Sequence, residues 1–262
     1  TSHGLTSGQT LYINYNDPND VKAVKISEGN SWSSILSGDG KYAIITEGFH
    51  LYRLDINSKE KKIIDATENG TPSTGDSAEA LSISEDGRYI LFTLDEYGEV
   101  DLDGLPGPSG TSQPLTSNNE GPGPLYRKDL QTGKVVRVDT LSDNSKAAVG
   151  WGIANASMSS NGRFVIFESP DVQFAGLPKA EWGSSTWSKS NVYVKDLETG
   201  ELTTASSDET GALGQGAANS GGYGSTISED GKLAAFIYQG NDGLGITSTN
   251  HGVFIKNLET GE

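Results

Sequence analysis

The chain has 262 residues, 34 of them glycine and 9 proline, and carries a formal net charge of −16. That charge argues against nucleic acid and anionic membrane surfaces, which need basic stripes, and favours cation binding. Cysteine is absent and there are only three histidines, His3, His50 and His251, which excludes thiolate sites and starves histidine chemistry.

Apolar residues make up 34% of the chain and come in short clusters, none near the roughly 18 needed to span a bilayer. The opening "TSHGLTSGQT", residues 1–10, reads as a tag or trimmed start. "TLYINYNDPNDVKAVKIS" then reads as the third and fourth strands of a unit that lacks its first two, a partial unit at 11–30.

Four further units follow, at 31–77, 78–152, 153–221 and, partial, 222–262. Each opens on an alternating strand such as "EALSIS". A tight turn follows, with its glycine at Gly40, Gly87, Gly162 or Gly231. The next strand, "RYILFTL" or "RFVIFES", is almost continuously apolar and so buried on both faces. After a variable loop comes a refrain: "LYRLDINSKEK", "LYRKDLQTGKV", "VYVKDLETGEL" and "VFIKNLETGE". It supplies the third strand, a second turn and the start of the fourth. Helical periodicity is not sustained anywhere.

Four antiparallel strands restarting on the same two turns predict an all-β fold, a β-propeller of four-stranded blades. Stacking the sheets radially buries faces that one sheet leaves bare. The last unit stops after its third strand. Either the N-terminal strand completes that blade and closes a small ring, or the four repeats are a segment of a larger propeller. The self-closed ring is the expectation adopted.

"SISEDGRYILF", "SMSSNGRFVIF" and "STISEDGKLAAF", followed by "KDLQTG", "KDLETG" or "KNLETG", resemble the WD40-like PD40 repeats of TolB-type bacterial propellers. The resemblance runs from about residue 10 onward. It implies a secreted, cell-surface or periplasmic protein, among relatives that include scaffolds, peptidase-associated propellers and polysaccharide lyases.

Function is expected in the loops. In 94–124, Asp95, Glu99, Asp101 and Asp103 before Gly104 offer alternating oxygens that could wrap calcium, though the same residues suit a solvated acidic loop. Trp32, Glu79, Ala154 and Tyr223 align at one mouth of the channel, with Trp151 just before, and there aromatics either stack on a ligand or plug the core. Trp182 and Trp187, in the loop at 177–191, either meet a glycan or protein partner or fold back on the blade.

The resulting expectation is a non-catalytic binding or assembly module outside the cell, the periplasm being second choice. Its partner is a glycan or protein, calcium is a stabilising ion, and no nucleic acid or membrane span is involved. One alternative is a glycan-active lyase using His50 or His251. Another is a scaffold that self-associates by strand exchange at its incomplete blade.

Overall fold

A computed structural model describes residues 11–13, 23–26, 34–73, 78–94, 102, 124–145, 153, 155–170, 172–176, 190–213, 217–218, 224–239 and 251–262. The described strands form four antiparallel sheets preceded by a two-stranded hairpin. The hairpin is β1 (Leu11–Ile13) with β2 (Ala23–Lys25).

Blade 1 runs β3 (Ser34–Leu36), β4 (Tyr42–Glu47), β5 (His50–Asp55) and β6 (Lys61–Ile63). Blade 2 runs β7 (Ala78–Ile83), β8 (Tyr89–Leu94), β9 (Leu125–Asp129) and β10 (Val135–Arg137). Blade 3 runs β11 (Ala156–Met158), β12 (Phe164–Ser169), β13 (Asn191–Asp196) and β14 (Leu202–Thr204). In these three blades each strand pairs with the next in sequence.

Blade 4 differs. Its inner position is split between β15 (Ala217–Ala218) and β16 (Thr226–Ile227), both paired with β17 (Leu233–Gln239), which in turn pairs with β18 (His251–Asn257).

The repeated turns have a local cause. In the first turn of each unit a serine hydroxyl donates to the carboxylate or amide oxygen two residues on: Ser37 to Asp39, Ser84 to Asp86, Ser159 to Asn161, Ser228 to Asp230, at 2.7–2.8 Å. The same serine oxygen accepts the N–H of the first strand residue beyond: Tyr42, Tyr89, Phe164 or Leu233. The fourth position needs positive φ, between 70° and 77°, which glycine adopts without strain. Each turn is thus closed by residues within six positions of one another, so it recurs wherever the phrase recurs.

The core lies between sheets. Ile44, Leu51, Ile90 and Phe92 form one cluster between blades 1 and 2. Leu91, Val165, Phe167 and Tyr193 form the next, and Ile166, Val192, Phe236 and Tyr238 the third. The inner strands of successive blades lie side by side, β3 against β7, β7 against β11 and β11 against β16. A buried lysine then ties each blade to the one before: Lys128 donates to the carbonyls of Ala66 and Thr67, Lys195 to Leu141, Lys256 to Ser207.

The closure expected from the sequence is not what the described strands make. β1 pairs with β2. Ile26, just past β2, packs with Ala43, Ile45, Leu54 and Ile56 of blade 1. Ile26 therefore lies on the free face of blade 1, where it finds apolar partners. β18 pairs only with β17 among the described strands. The corresponding face of blade 4 is bare: Val253 is 77% exposed, whereas Leu51, Leu125 and Val192 at the same register are fully buried.

Candidate functional site: a cleft between blades 3 and 4

The third strand of each unit carries Arg53, Arg127, Val194 or Ile255 at one register position. In blade 1 the Arg53 guanidinium carbon lies 4.1 Å from the centroid of the Tyr42 ring, and its Nη1 donates to the Gly87 carbonyl of blade 2 at 2.7 Å. In blade 2, Arg127 lies 4.6 Å from the Tyr89 centroid and donates to the Gly162 carbonyl of blade 3 at 2.6 Å. Each arginine thus fills the groove between its own blade and the next. Burial lowers the Arg127 pKa, against the opposing pull of the Tyr89 and Asp129 charges.

Blade 3 keeps the ring and the carbonyl, as Phe164 and Gly231, but has Val194 in the arginine's place. A cleft of about 180 Å³ opens there. Phe164, Val194, Thr203, Gly231 and Leu258 line it, with Asp196, Glu201, Lys232 and Glu259 around it. Gly231 sits so close to Phe164 that an added Cβ would come within 2.5 Å of the ring.

The charges around the cleft are unequally committed. Asp196 receives Nε and Nη2 of Arg163 at 3.0 and 2.7 Å. Burial raises its pKa, but the Arg163 pair and the Glu198 N–H outweigh that and hold it at about 2. Lys232 donates to both oxygens of Glu259 at 3.1 and 3.0 Å. No cation pairs with Glu201 among the described residues. The net effect is an acidic mouth over an aromatic floor.

His50 stands apart from this site. Its Nδ1 lies 2.6 Å from Asp65 Oδ2, which also accepts the Ser73 hydroxyl, while Asp65 Oδ1 takes the Leu51 N–H. Asp139 makes the same bond to Leu125 N–H, and Ser206 to Val192 N–H, without any histidine. Asp65 is thus the blade 1 copy of a strand cap that every complete blade has. His251 opens β18 in blade 4. Glu168 in β12 is fully buried, and burial pushes its pKa up to about 7 despite a hydrogen bond from Asn155.

The residues singled out from sequence fall elsewhere. Asp95, Glu99, Asp101 and Asp103 lie outside the described residues, as do Trp32, Trp151, Ala154, Trp182, Trp187 and Tyr223. Glu79 is exposed on the inner strand β7. Within the 94–124 loop, Leu102 is buried in the core between blades 1 and 2. Among the described residues no group of three metal-ligating side chains occurs. The cleft was not anticipated, although the aligned refrains "LYRLD", "LYRKD" and "VYVKD" already show Val194 as the exception among the three.

The fold and this site define a β-propeller whose interblade grooves are closed by arginine except where valine leaves one open. Neither a family model nor a curated protein sequence matches the chain. Solved structures do. A structure described as TolB from Acinetobacter baumannii is 19% identical, with a TM-score of 0.46 over 92% of this chain and 45% of that one. A putative TolB from Agrobacterium tumefaciens is 12% identical, with a TM-score of 0.36 over 92% and 82%. A prolyl endopeptidase is 12% identical, with a TM-score of 0.50 over 92% of this chain and 30% of that one. The chain spans less than half the length of the first and third. The likeness is one of fold alone: the repeated four-stranded antiparallel sheets are the blades of a β-propeller.

Proposed function

We propose that this chain is a non-catalytic β-propeller module that binds a protein partner outside the cytoplasm, at the cell surface or beyond, with the periplasm as second choice. The observation that carries the reading is the acidic interblade cleft opened by Val194, in a chain of net charge −16. The His50–Asp65 contact supports a structural rather than catalytic role, since Asp139 and Ser206 make the same cap alone.

A photo-cross-linking residue at position 201, on the cleft rim, should give a discrete adduct in an envelope extract of the source cells. The same probe at position 59, on an exposed turn of blade 1, should not. Adducts at both positions or at neither would count against the cleft as the contact surface. Turnover of an acidic polysaccharide to unsaturated products, lost on His50→Asn, would establish the lyase reading instead.

Two finer readings accompany this one. Calcium held by Asp95, Glu99, Asp101 and Asp103 would stabilise the fold by about 2.7 kcal/mol at 100 times Kd, so melts with Ca²⁺ and with chelator should differ. Trp32, Trp151, Trp182, Trp187 and Tyr223 would form a further contact surface for a glycan or protein, which single alanine variants would weaken.

The bare face of blade 4, with Val253 at 77% and Ile255 at 71% exposure, favours assembly as a second reading. A further blade, from this polypeptide or another copy, would cover it. Light scattering on dilution tests self-association: a strictly monomeric particle removes it.

A further inference from the structure

The groove between blades 3 and 4 has the ring and carbonyl of a guanidinium site; Arg163 lies 4.8 Å from the Phe164 centroid, as Arg88 lies 4.7 Å from that of Tyr89, but no counterpart of Arg127 reaches across to the Gly231 carbonyl. We infer that it receives the arginine side chain of a protein partner, an inference that rests on the binding-module reading above.

The molecule itself supplies two filled copies. Arg53 stacks on Tyr42 and donates to Gly87, and Arg127 stacks on Tyr89 and donates to Gly162. In the third groove Phe164 stands where the tyrosines stand, and Gly231 where those glycines stand. Valine is too short to reach either, and no described residue donates to the Gly231 carbonyl.

The rim adds what the filled copies need less. Glu201 has no cationic partner among the described residues, and Glu259 shares only Lys232. An incoming guanidinium can stack flat on Phe164 while its N–H groups reach the Gly231 carbonyl and a rim carboxylate together. A lysine ammonium is a point charge and cannot stack. The ring contact alone is weak, so a short arginine peptide saturates the groove only at high concentration and tight binding needs an arginine carried by a larger surface.

The test is amide NMR of the whole chain with acetyl-Gly-Arg-Gly-amide as probe. Saturable shifts are expected at Gly231, Lys232 and Thr203, with the lysine and citrulline peptides at least about fivefold weaker. Gly87 and Gly162 should stay still, because their grooves are full. Val194→Arg fills the open groove from within and should abolish the response while the rest of the spectrum persists. Arg127→Val empties the groove between blades 2 and 3 and should create a response at Gly162. Diffuse shifts over the acidic surface, equal binding of lysine and arginine, no shift at all, or an unchanged response in Val194→Arg would each overturn the assignment. If the rim still cross-links to a partner while the peptide is silent, the binding module stands and the arginine does not.

Discussion

Lys195 Nζ donates to the Leu141 carbonyl at 2.7 Å, joining the third strand of blade 3 to the loop that leaves blade 2. Burial lowers the pKa of this lysine and of Lys128, its counterpart one blade earlier. Lys195→Met keeps most of the stem packing but removes the blade-to-blade bond, leaving the Leu141 carbonyl only the local Asn144 N–H. A loss of about 1–3 kcal/mol is expected, read as a lower urea midpoint at unchanged slope. Leu54 occupies the same register in blade 1 and packs with Ile26 instead, so Leu54→Lys should also destabilise, by burying a charge among apolar side chains.

Two glycines of the same turn should respond differently to alanine. Gly40 has φ of 70° with nothing within 4 Å of an added Cβ, so Gly40→Ala meets only backbone strain, about 1–2 kcal/mol. Gly162 has φ of 77°, and its added Cβ would lie 2.3 Å from Tyr89 Cδ2. Gly162→Ala must also push the ring that Arg127 stacks on, so its midpoint should fall clearly further. Equal losses in the two variants would show that blade-to-blade contact at the turn contributes nothing.

In the second turn Gly133, Gly200 and Gly261 have φ of 79–84°, but the blade 1 copy places Lys59 there at 64°. Its side chain is exposed and makes no described contact to lose. Lys59→Gly should therefore stabilise the chain by up to about 1 kcal/mol, because only the backbone penalty changes. A lower melting temperature in the variant would contradict this.

Glu168 should make stability fall as pH rises. An unfolded glutamate titrates at about 4.3. In the fold burial pushes Glu168 up to about 7. Between those values the folded chain keeps a proton that the unfolded chain has lost. The contribution is therefore fully present below about pH 4, is lost as pH climbs through 7, and is flat above. Glu168→Gln stays neutral throughout. Its stability relative to the parent should rise by up to about 3 kcal/mol between pH 4 and pH 8, as read from urea curves at each pH. A difference independent of pH would mean that Glu168 is ionised in the fold.

The blades were legible in the amino-acid sequence alone. Ser-x-Asp-Gly and Asp-Leu-x-Thr-Gly close their own turns: Asp129 accepts from Gln131 N–H, and Lys134 N–H reaches Thr132 Oγ1. Those bonds span a few residues and need no distant partner, so a repeated phrase gives a repeated hairpin. The pairing of first with second strand and of third with fourth follows from the same short connections. The free edges and the site were decided elsewhere. That Ile26, just past the N-terminal hairpin, is buried against blade 1 depends on packing, and local bonding carries no information on that. The cleft depends on a ring in β12, a carbonyl at Gly231 and a side chain at position 194, brought together only when blade 4 packs on blade 3. Valine in that refrain looks like ordinary strand variation until its neighbour is in place. Only the packed interface shows that the shorter side chain leaves a space where arginine fills the other two grooves.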